Sequence, residues 1–156
     1  MVENGSKLWF AVIASACFFL LSVTLYAKGD HTSTKQLTET IEKVRTGATP
    51  AARTEAAEHL AELTRGIHPN KVDDTTLEAL VSLLDTSEDS VRYWVARCLG
   101  NLGPRARIAI PKLQKILAEV DCIQGSKTSA SGIRFALAQM GVTPPPPNCE
   151  TTKEQK

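Results

Sequence analysis

The sequence predicts an all-α chain, a short α-solenoid of about three helical hairpins behind one N-terminal transmembrane helix. Three observations lead there: an uncharged apolar run near the start, a repeat with a period near 39 residues through the remainder, and a 42% hydrophobic content of which aromatics supply only 5% of the chain. Aliphatic residues without many rings suit closely packed short helices better than a β-sandwich. A length of 156 residues holds one modest domain and a leader. The predicted layout is a short tail 1–7, a span 8–27, a linker 28–32, a repeat domain 33–142 and a Pro-rich polar tail 143–156.

The run from Leu8 to Ala27, LWFAVIASACFFLLSVTLYA, carries no charge and only Ser, Thr and Tyr as polar residues. At a rise of about 1.5 Å per residue it just crosses a ~30 Å hydrocarbon core. A cleaved signal peptide would want small residues three and one before the cut, which Leu25 and Ala27 supply poorly. A lipoprotein cut before Cys17 would leave the apolar run continuing from Phe18. The retained anchor is the preferred reading of the three. Glu3 and Lys7 cancel, so loop charge orients the span only weakly. The expected arrangement keeps the short N-terminus in the cytoplasm and the repeat domain in the periplasm or outside the cell, on a bacterial inner membrane if the source is prokaryotic.

The repeat appears when segments are overlaid. Ser90 to Gly103, SVRYWVARCLGNLG, sets the pattern; 39 residues earlier Arg53, Ala57, Leu60 and Leu63 fall under Arg92, Ala96, Leu99 and Leu102. In the third copy, 38 residues on, Ile133, Leu137, Met140 and Gly141 fall under Val95, Leu99, Leu102 and Gly103. Each copy follows a second amphipathic stretch: Leu37, Ile41 and Val44; Leu77, Leu80, Val81 and Leu84; Leu113, Ile116, Leu117 and Val120. Spacings of three and four place each set on one helical face. Ser33 with Gln36 and Thr75 with Glu78 have capping-box spacing, Thr49 precedes Pro50 as an N-cap, and Thr86 or Ser87 is placed to cap the middle helix. Gly47, Gly66, Gly103 and Gly141 stand where helix ends favour a left-handed residue, and Pro104 blocks continuation of the middle helix. Glu55, Glu58 and Glu62 suit the polar outer side of an end hairpin.

Between Leu84 and Leu113 the matching residues are Asp85, Val91-Arg92, Ala96, Leu99-Gly100, Leu102-Gly103, Ile110-Pro111 and Leu113. This stretch resembles a HEAT repeat of the short kind also found in bilin-lyase-like proteins. The resemblance implies an α-solenoid and a polar ladder between neighbouring repeats, with Asp85 and Arg92 at the ladder positions. Arg53 has no Asp upstream, and Ala130 replaces the arginine in the third copy.

On the middle second helix, Val91, Val95, Cys98, Leu99 and Leu102 define the buried stripe. A hundred degrees per residue then puts Tyr93 and Arg97 opposite it, with Trp94 at the flank. Second helices of HEAT-like arrays line the concave surface, so Tyr93, Trp94 and Arg97 form the candidate binding group. The competing reading packs Trp94 between hairpins and lays Tyr93 over a neighbouring stem. Arg92, Arg97, Arg105, Arg107, Lys112 and Lys115 occur between Ser90 and Ala118 without an acid, directly after Asp73, Asp74, Glu78, Asp85, Glu88 and Asp89. A basic patch of Arg105, Arg107, Lys112 and Lys115 could hold an acidic protein or anionic headgroups; the competing reading is pairing between hairpins.

Cys122 ends a helical stretch and Cys149 follows Pro144 to Pro147, so an exported chain could bridge them. A loop of that size stabilises by about 3 kcal/mol in the chain-entropy model. The competing reading is two thiols in a cytosolic chain. There is no C-x-x-C pair, and His31, His59 and His68 lack ligand spacing, so neither a metal nor a cofactor is expected. Gly-rich phosphate loops and nucleophile elbows are absent, and no catalytic residue is assigned. A formal net charge of +1 gives no general pull toward nucleic acid. The expected function is a membrane-tethered, non-enzymatic scaffold for a protein partner. The alternatives are an accessory or chaperone-type subunit of a bilin-lyase-like enzyme system, and a structural envelope protein that forms homo-oligomers.

Overall fold

In a computed structural model the described residues are 34–120, 122 and 125–147. The chain divides into two compact units, Met1–Lys35 and Gln36–Lys156. The predicted span 8–27 lies outside the described residues, as do Ser33 and Cys149. Among the described residues no helix is long and apolar enough to cross a membrane.

The described residues form helices α1 (34–46), α2 (Pro50–Gly66), α3 (Asp74–Ser82), α4 (Asp89–Asn101), α5 (Ile110–Val120) and α6 (Ser129–Gln139), and no strand. Short 3₁₀ segments at Pro69–Lys71, Leu83–Asp85 and Gly103–Ala109 make the connections. Successive pairs are the three hairpins read from the sequence. The second helix of each pair packs beside the next, with α4 between α2 and α6. Burial follows the predicted stripes: Leu37, Ile41, Val44, Leu77, Leu80, Leu84, Leu113, Ile116 and Leu117 from the first helices are buried. They join Leu60, Val91, Val95, Cys98, Leu99, Leu102, Ile133, Leu137 and Met140 in one apolar cluster. Leu63, Val81 and Val120 lie partly buried at its margin.

Helix ends are set locally. Thr49 Oγ1 accepts the Ala52 N–H at 3.1 Å and Pro50 occupies the first turn, as the sequence predicts. Gly103 (φ +53°) and Gly141 (φ +82°) reverse the chain in the left-handed region after α4 and α6. Gly47 and Gly66 close their helices without entering that region. Two capping assignments are corrected. Asp73, rather than the Thr75–Glu78 pair, caps α3, its Oδ1 accepting the Thr76 N–H at 2.7 Å; the carboxylate is the stronger acceptor and stands at the start of the helix. Glu88 occupies the N-cap of α4 without a side-chain cap, while Thr86 Oγ1 accepts the Glu88 N–H at 3.2 Å and orders the preceding turn. At α6 the sequence analysis missed a reciprocal capping box between Thr128 and Ser131. Beyond Pro104 the chain continues as a 3₁₀ run into α5.

The second-helix row as a candidate protein-binding surface

The row is joined by two different interfaces. Between α2 and α4, Arg53 spans the N-terminal ends. Its Nε and Nη2 reach Glu88 Oε1 at 2.7 and 2.6 Å, and Nη1 donates to the Gly47 carbonyl at 2.6 Å. One turn along, the Thr54 and Ser90 hydroxyls meet at 2.9 Å. At the far end Asn101 Nδ2 donates to the Ala61 carbonyl at 2.9 Å and to Thr64 Oγ1 at 3.2 Å.

Between α4 and α6 the helices meet through missing side chains. A Cβ at Gly132 would lie 2.7 Å from the Tyr93 carbonyl oxygen, and one at Gly100 would lie 2.6 Å from the Phe135 ring. This approach places the Arg97 guanidinium 3.7 Å above the centre of the Phe135 ring. Tyr93 and Trp94 meet edge to face at 4.8 Å, and Lys127 Nζ stands 5.5 Å from the Trp94 ring centre. Asp89 Oδ1 accepts from the Ser129 backbone N–H at 3.1 Å and also from the Ser129 hydroxyl.

Tyr93, Trp94 and Arg97 do share the outward side of α4, but the expectation that Tyr93 and Arg97 stand free is corrected. All three are half-buried because α6 lies close against them, and Trp94 packs partly on the core. Phe135, Gly132 and Lys127, absent from the sequence-based group, complete the cluster. Their signal was the register itself: Gly132 aligns with Trp94 and Phe135 with Arg97, a small residue and a ring where the middle copy has a ring and a cation.

The ladder is also redrawn. Asp85 pairs across the hairpins with Lys112 Nζ at 2.7 Å, not with Arg92. Arg92 instead turns back on its own loop, donating to the Leu84 carbonyl at 3.3 Å and to the Thr86 carbonyl. Only eight residues separate Leu84 from Arg92, so these carbonyls already lie within reach of the guanidinium. Glu88 serves as the acid for Arg53, and Ser129 meets Asp89 where the third copy lacks an arginine.

The four residues of the basic patch do not gather into one site. Arg105 donates to Asp74 and to the Val72 carbonyl, Lys112 holds Asp85, and Arg107 Nε reaches the Met140 carbonyl at 3.2 Å. Lys115 is exposed on α5. Pairing between hairpins accounts for Arg105 and Lys112. Burial pushes the Cys98 thiol up to about 12 against a hydrogen bond from Thr64, which leaves it a small apolar core residue rather than a nucleophile.

No curated protein and no solved structure matches the chain. Residues 37–122, from within α1 to the turn after α5, match the family described as HEAT repeats. That match takes in more than half of the chain and agrees with the stacked hairpins and the stitched row of second helices, so the chain belongs to the HEAT-repeat family.

Proposed function

We propose that this protein is a membrane-tethered scaffold that holds an acidic segment of a partner protein against α4 and α6. HEAT repeats typically serve as scaffolds for protein–protein interaction, and that coarse role follows from the family. The observation that carries the finer reading is the cation-and-ring cluster. Arg97 and Lys127 stand over the rings of Phe135 and Trp94, and Tyr93 lies beside them. No carboxylate occurs on α6, and the one on α4, Asp89, is engaged by Ser129. Aromatic and arginine side chains dominate binding hot spots, and cations held above rings stay available to carboxylates.

The leader supplies the tether in this reading. Linker 28–32 extends at most about 17 Å, so a repeat domain behind an anchor at 8–27 would work close to the membrane surface. A bilin-lyase-like accessory role and a self-associating envelope role remain the alternatives, with pigment carry-over and concentration-dependent oligomers as their respective signatures.

The test is affinity capture of the full chain from detergent-solubilised membranes beside Lys127→Glu and Lys115→Glu variants. Lys127 belongs to the cluster, and Lys115 is an exposed cation on α5. A partner lost from Lys127→Glu and kept by Lys115→Glu supports the reading. Equal retention by both variants overturns the α4–α6 surface, and a reporter after Lys156 that behaves as cytoplasmic overturns the predicted topology.

A further inference from the structure

The chain beyond α6 does not leave the domain. Val142 N–H bonds the Leu137 carbonyl at 2.9 Å and its side chain packs on the core, which turns the chain back along the helix it has just left. Arg134, in the middle of α6, then donates to the Pro145 carbonyl. Pro145 lies across a cleft of about 180 Å³ from Gln114, Leu117 and Ala118 on α5. The order of these contacts gives the strap a direction. Moving from Val142 to Pro145 takes it from the C-terminal end of α6 toward the C-terminal end of α5. Cys122, exposed, stands just past that end, four residues beyond Ala118.

Four consecutive prolines hold such a strap extended at about 3.1 Å per residue, since each ring fixes its own φ and disfavours a helix at the residue before it. Cys149 follows Pro147 by two residues. From Pro145 to Cys149 the reach is therefore about 12 Å, in the direction of Cys122. From Ala118 the two remaining residues of α5 advance only about 3 Å along the helix before the chain turns at Cys122.

We propose that Cys122 and Cys149 are a redox latch that fastens the proline strap across the α5–α6 edge, closing the end of the array where a further hairpin would stack. The inference stands apart from the partner reading, because the latch lies at the array's end and not on the cation-and-ring cluster. A solenoid end exposes the face its missing neighbour would cover, and a fastened strap caps it. Closure is thiol–disulfide exchange with a protein or small-molecule disulfide. The Cys122 thiolate attacks the oxidant's S–S bond, forming a mixed disulfide and releasing one thiol. The Cys149 thiolate then attacks the Cys122 sulfur, forming the intramolecular bond and releasing the second thiol. The protein loses two electrons and two protons, and the oxidant takes up both as two thiols. Cys98, buried, is inaccessible to this exchange.

The experiment treats the full chain in mild detergent, in a Cys17→Ser background, with oxidised glutathione, followed by quenching and tryptic mapping without reduction. The expected product joins peptides 116–127 and 135–153 of a single chain, with loss of both thiols from maleimide labelling. Arg134→Ala, which releases the strap at Pro145, should slow closure several-fold while leaving the repeat domain's helicity intact. A Pro145→Gly, Pro146→Gly variant should act in the same direction by lowering the effective concentration of one thiol at the other. Persistent labelling of both cysteines, or cross-links only between chains, overturns the latch. Closure at an unchanged rate in both strap variants overturns the part assigned to the docked strap.

Discussion

The two interfaces of the second-helix row do the same job by different physics. The α2–α4 contact is polar: Arg53 bridges Glu88 and Gly47, and Asn101 spans to Ala61 and Thr64. The α4–α6 contact relies on close approach, with Gly132 against the Tyr93 backbone and Gly100 against Phe135. A hydrogen-bonded clamp tolerates small changes in helix separation, because side chains can swing to keep their partners. A contact made by absent side chains does not, since one methyl group must displace backbone atoms. Adjacent repeats in one array can thus differ in what breaks them.

The largest effect should come from Gly132→Ala. The new Cβ meets the Tyr93 carbonyl oxygen at 2.7 Å and the Tyr93 Cα at 3.2 Å, both backbone, so the helices must part. Overpacking of this kind costs about 3 kcal/mol, and the better helix propensity of alanine offsets about 1 kcal/mol, leaving a net loss of about 2 kcal/mol. Gly66→Ala is the control with the opposite sign: nothing lies within 4 Å of its Cβ position, and a gain of about 0.5 kcal/mol is expected. Urea unfolding of the two variants checks both numbers. A Gly132→Ala protein as stable as the wild type would show that the α4–α6 contact yields as readily as the polar one.

Next in size is Arg53→Ala, at about 1.5 kcal/mol. Glu88 Oε1 loses both guanidinium contacts while Oε2 already lies buried without a hydrogen-bond partner, so a half-buried carboxylate is left uncompensated. Replacing both partners by apolar residues, Arg53→Met with Glu88→Leu, should restore most of the loss. A double variant as unstable as the single one would mean that the pair itself, rather than the stranded carboxylate, carries the stability.

Much of this array was legible in the sequence, and the reason is periodicity. Leu37, Ile41 and Val44, or Val91, Val95, Leu99 and Leu102, are buried because helical spacing of three and four puts them on one side, a property each segment carries alone. Thr49 before Pro50 was readable for the same reason, since a cap is a contact between near neighbours. What escaped were choices made between segments. Asp85 had Arg92 nearby in sequence and Lys112 nearby in space, and only the packing of the third hairpin on the second decides for Lys112. Gly132 within a helical pattern reads as a weak position until a neighbouring backbone is known to lie against it. The burial of Tyr93 and Arg97 follows from that one glycine, which is why a helical wheel of α4 by itself left them outside.

Asn101→Ala should cost about 1 kcal/mol, the worth of two neutral hydrogen bonds to the far end of α2, one of them to a backbone carbonyl. Because Asn101 is half-buried, water can replace part of what is lost. Combined with Arg53→Ala it should add nearly independently, the two sites lying at opposite ends of the same pair of helices. Strong coupling would instead mark α2–α4 as a single cooperative contact that opens as a unit.

The smallest effect belongs to a residue outside both interfaces, and it tests whether they respond independently of the rest of the fold. Hydrogen bonds from the Thr76 backbone and side chain hold the Asp73 carboxyl below its usual value of 3.8, with Arg105 adding a weaker pull. A carboxylate with a lowered folded value binds fewer protons when folded than when unfolded. Its stabilisation is therefore fully present above about pH 4 and is lost as pH falls through the folded value. Asp73→Asn should flatten that part of the acid limb, with a change at neutral pH smaller than that of Asn101→Ala because the group is exposed. The gap between Gly132→Ala and Arg53→Ala should be the same with or without Asp73, since α3 lies in the other row of helices and touches neither contact. If removing this cap narrows the gap, the outer helices help to set the spacing of the inner ones, and the two interfaces are not separable features of the row.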